Sequence, residues 1–440
     1  METLTIDVRS VDLATLRGLP RDELTESLYS LNASELALLF TRLGDEAIAE
    51  LLAELESYDA ARLISKLSRL QAAEVLEEMD PDDAADVVDE MEPIEAEAVL
   101  VAMKPDDAND LRELLSYPAE SAGGLMTPEY VALSPTMRAD EALNALRRVA
   151  EEVETIYYTY VVEPDSRRLL GVLSLRNLVL SRPWTPVGDL MVQDLLRVRA
   201  DADQELAARL LDQHNLIALP VVDEEDRLLG IITADDAADV LLEEADEDIQ
   251  RLGGSQPLEE PYLRASIGHL FRKRAPWLLF LFLGQAYTSS VLALFEHTLS
   301  ELVALAFFVP MLIGTGGNVG SQTVTTLVRA MGTGEVDLGD VFRVLKREVA
   351  VGALLGLLMG ATSYIRAWTM GSAFTVGPAV AVAATCIVLW AATVAALLPL
   401  ALKKLRVDPA VVSAPFITTL VDGTGLFIYF TVAKILLGLD

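Results

Sequence analysis

Hydrophobic and polar positions follow two different rhythms along this chain. Toward the C-terminal end the charges almost vanish: residues 275–295, 302–328, 349–365 and 367–402 carry none, and a further apolar run lies between Asp408 and Lys434. A helix that crosses a bilayer needs roughly 20 apolar residues, so the pattern predicts five spans. The third is short unless its flanks snorkel, and the fourth fills only part of its long window. An odd number of spans puts the two ends of the chain on opposite sides.

Over residues 31–111 the rhythm is a repeat of period twelve. Leu31, Leu43, Leu55, Leu67, Met79, Met91 and Met103 open successive units. Ile48, Ala60, Ala72, Ala84, Ala96 and Ala108 follow five residues later, then Leu51, Leu63, Val75, Val87, Val99 and Leu111. Pro81, Pro93 and Pro105 each stand two residues after the Met, with acids following. Proline in a first helical turn and acids at the positive helix end make each unit a short helix. Stacked short helices make a small solenoid.

Residues 125–245 hold a duplication. YYTYVVEPDSRRLLGVLSLRNLVL (157–180) parallels LIALPVVDEEDRLLGIITADDAADVL (216–241), and LMT at 125 parallels LMV at 190. Each copy reads as a strand, a polar turn, a second strand ending in a glycine, and a helix. Paired units of this kind resemble CBS domains, a regulatory module that binds nucleotides or ions. In that family a Gly, a Ser/Thr and a later Asp grip ribose. The resemblance implies one nucleotide site, at Gly230, Thr233 and Asp236, because the first copy has Gly171 and Ser174 but Asn177 in place of Asp.

Charge separates these regions. The chain of 440 residues has 34 Lys+Arg against 67 Asp+Glu, a net charge of −33, yet it is 52% hydrophobic. Residues 271–440 sum to +3 and residues 1–270 to −36. Such acidity excludes a nucleic-acid partner, which requires a basic face, and favours cations. The single cysteine, Cys386, rules out an internal disulfide. The opening METLTIDVRS shows no basic n-region followed by an apolar core, so no cleaved signal peptide is expected.

Basic residues are retained on the cytoplasmic side. Arg272, Lys273 and Arg274 precede span one; Arg343, Lys346 and Arg347 lie between spans two and three; Lys403, Lys404 and Arg406 lie between spans four and five. All three clusters therefore predict a cytoplasmic N-terminal region and a C-terminus outside. Asp422 is the only charge among residues 409–433. A carboxylate near the bilayer centre costs at least about 2.5–3.5 kcal/mol and usually faces a watery pathway; the alternative is a structural carboxylate bonded to a Thr or Asn of a neighbouring helix. In span two, Gly314 to Thr323 reads GTGGNVGSQT. Such a run either lets helices approach closely or unwinds so that backbone lines a cavity. Asn318, Ser321 and Gln322 favour the second. A carboxylate with neutral oxygen ligands suits a hard cation, Mg²⁺ or Ca²⁺.

The order of parts, together with FFVPMLIGTGGNVGSQTVTTLVRAM and VDPAVVSAPFITTLVDGTGLFIYF in spans two and five, resembles the MgtE family of magnesium channels and transporters. The implied fold is multidomain: an all-α acidic helical-repeat N-domain (1–120), an α/β tandem CBS pair (121–186 and 187–242), a connecting or plug helix (243–274) and an α-helical membrane domain of five helices (275–440). The resemblance implies a homodimer in the inner (plasma) membrane with one central pore. There Asp422 of each subunit holds a hydrated Mg²⁺, the Thr418 carbonyl is a secondary ligand, and Asn318 joins them in the pore set. It also implies sensor sites for intracellular Mg²⁺ at Asp82, Asp86, Asp203, Glu205, Asp236, Asp239, Glu244, Glu247 and Asp248. Asn215 stands where the family has a further acid. The implied activity is Mg²⁺-gated Mg²⁺ uptake, with Co²⁺ or Mn²⁺ as further candidate ions and ATP as a candidate ligand of the CBS pair. The alternative is an ion-coupled Mg²⁺/Co²⁺ carrier regulated by that pair. A membrane enzyme finds no support, since the chain has no HExxH, no Ser-His-Asp set and no Walker loop.

Overall fold

The computed structural model describes residues 8, 10–150, 153–258, 262–372 and 374–439. It divides into two compact units, Met1–Glu244 and Ala245–Asp440.

The first unit begins with short helices α1 (Leu13–Arg17), α2 (Arg21–Tyr29), α3 (Ala33–Leu43), α4 (Asp45–Ala53), α5 (Ser57–Ile64), α6 (Arg69–Leu76), α7 (Pro81–Asp89), α8 (Pro93–Leu100) and α9 (Pro105–Leu114). Proline occupies the first turn of α7, α8 and α9, where its missing N–H has no intrahelical role. Helices two apart stack: α5 on α7 and α7 on α9, α4 on α6 and α6 on α8. Two rows result, and the twelve-residue repeat places its apolar positions between them. Ile48, Ala60, Ala84, Leu51, Leu63, Val87 and Leu111 are buried, which is why these units cannot stand alone.

The CBS region contains β1 (Ala132–Leu133), α10 (Ala139–Val149), β2 (Tyr158–Val162), β3 (Leu169–Ser174), α11 (Leu175–Leu180), α12 (Val187–Leu190), β4 (Val198–Arg199), α13 (Gln204–His214), β5 (Ala218–Val222), β6 (Leu228–Thr233) and α14 (Ala234–Leu252). Two three-stranded sheets form, β1-β2-β3 and β4-β5-β6, each with one parallel and one antiparallel pairing. The glycines do not end their strands, as the sequence pattern suggested, but lie inside them. A Cβ on Gly171 would come within 2.7 Å of the Val192 carbonyl, and one on Gly230 within 2.6 Å of the Thr127 carbonyl. The LMT and LMV segments thus pack against those strands: Thr127 exchanges backbone hydrogen bonds with Ile231, and Val192 with Val172. The two-residue strands β1 and β4 are too short to show alternation in sequence.

Helix α14 runs without interruption to Leu252. The segment 243–274 is therefore not one helix: Gly253 and Gly254 break it, Gly254 at φ +77, and among the described residues helix resumes at Ile267.

The second unit contains α15 (Ile267–Leu294), α16 (Glu296–Glu301), α17 (Val309–Gly332), α18 (Val341–Thr369), α19 (Gly377–Lys404) and α20 (Ala414–Leu437). Five of its helical segments are long and apolar enough to cross a membrane. The third, α18, has 29 residues; it extends past its charge-free window because Arg343, Lys346 and Arg347 sit in its first two turns, where they can snorkel. Helices α17, α19 and α20 pack mutually, α18 lies on α19, and α15 lies on α20. The Gly-rich run does not unwind. A Cβ at Gly316 would meet Ile387 and Val421 at 2.7 and 2.9 Å, and one at Gly317 would meet Thr418 at 2.9 Å. The glycines therefore serve close helix packing, the first of the two sequence alternatives.

Candidate functional site

One acid, Asp422, lies buried in the spanning helix α20, and a crowd of acids gathers in the first unit. Ser413 caps α20, accepting from the Phe416 amide at 3.3 Å, and Asp422 follows two turns on. Its side chain is buried. One oxygen, Oδ2, accepts from Gln285 Nε2 of α15 at 3.2 Å, while Oδ1 is buried without a protein partner. Thr418, one turn earlier on α20, donates its hydroxyl to the Ala414 carbonyl at 3.0 Å and lies 3.3 Å from Ser321 Oγ of α17. Because α20 is an unbroken helix, the Thr418 carbonyl is engaged in the backbone ladder and has only its second lone pair to offer. Asn318 is elsewhere: with Gly314, Gln322, Thr325 and Thr326 it makes an exposed, mostly polar stripe along α17. Among the described residues no hydrogen bond joins Asn318 to Asp422.

In the first unit, the start of α7 and the start of α14 bring Asp80, Asp82, Asp83 and Asp86 near Asp235, Asp236, Asp239 and Glu243, with Glu154 from the loop before β2. Glu154, Asp235 and Asp236 each place a carboxylate oxygen within 4.8 Å of the others. Burial first, then the neighbouring acids, raises Asp82 well above the ordinary carboxylate range and Asp83 to about 7. The Asp86 side chain remains open to solvent; partial desolvation, then Asp83, Glu243, Asp89 and Asp236, lift it to about 7 as well. Glu154 rises to about 8, from burial and then from Asp236, Asp80 and Asp235. Asp82 Oδ1 and Glu154 Oε2 are buried without a hydrogen-bond partner. The largest charges acting on Asp82, Asp83 and Asp86 are all negative.

The remaining sensor candidates fall into two other groups. Asp203 caps α13, accepting from the Glu205 amide at 2.9 Å; Glu205 pairs with Arg209, and Glu244 accepts from Gln204 Nε2 at 3.0 Å. Asn215 ends α13 in the left-handed region, φ 50 and ψ 46. Asparagine suits that cap, whereas an aspartate there would oppose the negative helix end. In the second unit, Glu247 binds Arg251 at 2.5 Å, and Arg251 binds Asp408 at 2.8 Å. Asp248 Oδ2 lies 3.5 Å from the place a Cβ on Gly332 would take. Asp408 in turn accepts from the Ala410 amide at 2.8 Å. Close by, Trp277 Nε1 donates to Ser413 Oγ at 3.1 Å. The end of α14 is thereby tied to Asp408, in the turn that precedes α20, the helix that carries Asp422.

Two nucleotide candidates, Thr233 and Asp236, lie inside the acidic crowd. Thr233 donates its hydroxyl to Asp236, and Gly230 serves the close backbone approach described above. Sequence reasoning missed Gln285, the one amide in the charge-free window of span one, whose type marks it in a membrane helix. It also left Asp83, Asp235 and Glu243 out of the sensor set although they sit in visible acid runs. Glu154 had no periodic signal, since it comes from a loop.

Comparison with known proteins agrees with this layout. Residues 309–432 match the MgtE divalent cation transporter domain, 19–120 the MgtE intracellular N domain, and 122–182 and 187–243 CBS domains. Magnesium transporter MgtE of Thermus thermophilus is 46% identical over 328 residues, which cover 74% of this chain and 72% of the relative. The chain belongs to the MgtE family. Its Bacillus subtilis relative, also Magnesium transporter MgtE, is 37% identical over 324 residues, covering 73% of this chain and 70% of that one. Among solved structures, the cytosolic domain of the Mg²⁺ channel MgtE in complex with ATP is 38% identical with a TM-score of 0.48, covering 52% of this chain and 93% of that one. As an MgtE-family member this is a multi-pass membrane protein with a CBS pair, of a family that transports magnesium.

Proposed function

We propose that this MgtE-family protein is a homodimeric, Mg²⁺-gated Mg²⁺ channel of the plasma membrane, with residues 1–244 in the cytosol and the C-terminus outside. The observation that carries the reading is the carboxylate crowd on α7 and α14, in which Asp82 Oδ1 is buried and unpartnered and the strongest neighbouring charges are all negative. Such a crowd is unfavourable without a counter-ion, and hard oxygen donors of high charge suit Mg²⁺. At low cytosolic Mg²⁺ the ionised acids repel and loosen α7 from α14; when Mg²⁺ rises, the ion bridges them. Helix α14 carries that change onward, because its end is held through Arg251 to Asp408, in the turn that precedes α20. Closing is then linkage between the transported ion and the gate.

In the membrane, Mg²⁺ dehydrates reluctantly and demands octahedral ligation. Two Asp422 carboxylates hold it through its water shell, with the Thr418 carbonyl one turn away. The exposed stripe of Asn318, Gln322 and Thr326 on α17 provides the wet wall that lipid would not tolerate. The sensor set comprises Asp82, Asp86, Asp236 and Asp239 together with Asp83, Asp235 and Glu154; Asp203, Glu205 and Glu244 form a second group, and Glu247 and Asp248 a third at the coupling end. ATP enters this reading only as its magnesium complex, because Glu154, Asp235 and Asp236 repel a free triphosphate. The test is current through excised patches with Mg²⁺ applied to the cytosolic face. Replacing Asp82, Asp83 and Asp236 together by Asn should keep the current and abolish its closure by millimolar Mg²⁺; unchanged closure would remove the sensor.

A further inference from the structure

We propose that Gln285 on the first spanning helix is a positioning and ion-discriminating residue for the Asp422 carboxylate. This rests on the reading of Asp422 as the pore carboxylate.

Gln285 is the one amide in the charge-free window of α15, preceded by a Leu/Phe run and followed by Tyr287, Thr288, Ser289 and Ser290. An amide in the middle of a span is costly against lipid and normally finds a partner on a neighbouring helix. Here that partner is Asp422 Oδ2, at 3.2 Å. A carboxylate has about four lone-pair positions, and one donated hydrogen bond leaves most of them unused. Donation from the amide to a charged acceptor fixes the carboxylate plane, and this leaves Oδ1 as the free oxygen. Oδ1 is buried and has no protein partner.

A second polar atom on α15 is equally unsatisfied. Thr288, one turn beyond Gln285, has its hydroxyl buried without a partner. It stands beside the residue following Asp422, since a Cβ on Gly423 would come 3.1 Å from Thr288 Oγ1. Two orphaned oxygens on facing helices are the mark of a polar space that water or a hydrated cation fills. Gln285 is exposed while the carboxylate it holds is buried, so its amide stands on the open side of Asp422. Helix α15 packs on α20 and on no other spanning helix to a comparable extent, and a register shift of α15 would carry Gln285 away from the site. The first span thereby contributes to an ion site that spans two and five would otherwise form alone.

A rigidly held carboxylate fits an octahedral shell of water better than a mobile one, so losing the amide should weaken Mg²⁺ preferentially. The test uses full-length protein in liposomes, with uptake measured against external Mg²⁺ and against Ca²⁺ as competitor. Gln285→Met keeps the volume and removes the donor; it should raise half-saturating Mg²⁺ about tenfold and lower the preference for Mg²⁺ over Ca²⁺, with closure by cytosolic-side Mg²⁺ unaltered. Gln285→Glu adds a second carboxylate and should shift half-saturation the opposite way while again weakening the preference. A structural role would lower maximal uptake in both without moving half-saturation, and that result would overturn the assignment. Asp422→Asn separates the two levels. Uptake equal to wild type in Asp422→Asn refutes the pore reading itself; lost uptake there, with both Gln285 variants unchanged in half-saturation, overturns the role of Gln285 alone.

Discussion

Protons should substitute in part for Mg²⁺ at the α7–α14 acids, and Asp83→Asn should imitate them permanently. Asp83 has its pKa raised from 3.8 to about 7, by burial first and then by Asp80, Asp236, Asp235 and Asp239. Held ionised at pH 8, it opposes the packed arrangement by about 4 kcal/mol if the whole displacement is charged to this one group. Asp86 and Glu154 titrate in the same field, so the penalty is shared, and about 2 kcal/mol is the portion that one substitution recovers. The sign follows from the direction of the shift. A carboxylate raised in the folded state contributes stability that is full below its ordinary pKa and is lost as pH rises through the folded value. For this cluster the loss runs from about pH 4 to about 7 at Asp83 and Asp86, and to about 8 at Glu154. The assay is limited proteolysis of the full-length protein in chelator-containing buffer from pH 5.5 to 8.5, with protease activity normalised at each pH on an unfolded substrate. Wild type should become progressively more sensitive within residues 1–244 from pH 5.5 up to about 7 to 8 and level off above, and millimolar Mg²⁺ should restore protection. Asp83→Asn should be cleaved about 30-fold more slowly than wild type at pH 8 without Mg²⁺. Cleavage of metal-free wild type that is independent of pH, or faster cleavage of Asp83→Asn at pH 8, would refute the reasoning.

Further outcomes follow from the packing and the coupling contacts. Gly320→Leu places a side chain against Ile417 and, near by, Ala391; overpacking of about 1–3 kcal/mol or more should lower the melting temperature in detergent and reduce uptake, whereas Gly314→Ala, where a Cβ meets nothing within 4 Å, should do neither. Arg251→Ala removes the ion pairs to Glu247 and Asp408; current should persist while its closure by Mg²⁺ loses steepness, and closure identical to wild type would exclude the Arg251 link. Nucleotide binding, followed by calorimetry, should require Mg²⁺ and should strengthen in Glu154→Gln; equal affinity for free ATP would contradict the electrostatic argument.

The architecture was legible where a repeated physical demand left a repeated residue. Twelve-residue spacing gave the two-row stack because Ala60, Ala72 and Ala84 must fit between helices that nearly touch. Charge-free windows gave five spans because bilayer thickness sets helix length. Local geometry was less legible. The run Gly314 to Thr323 satisfies both close packing and an unwound cavity wall, and only the facing Ile387, Val421 and Thr418 decide between them. Strands of two residues, such as Ala132–Leu133, carry no alternation at all. Glu154 and Gln285 meet their partners across 82 and 137 residues of chain respectively, as Asp236 and Asp422 show, and no local pattern encodes a meeting of that kind. Asn215 is the converse: it read as a lost ligand, and its left-handed cap supplies a structural reason for the residue.

Mg²⁺ uptake into proteoliposomes by wild type and by Asp422→Ala, at low Mg²⁺ on the side of residues 1–244, decides most directly whether the buried acid of α20 lies on the ion's path. Wild type should take up Mg²⁺ and Asp422→Ala should not, although both proteins melt alike in detergent. Uptake by Asp422→Ala at the wild-type rate would contradict the proposed pathway.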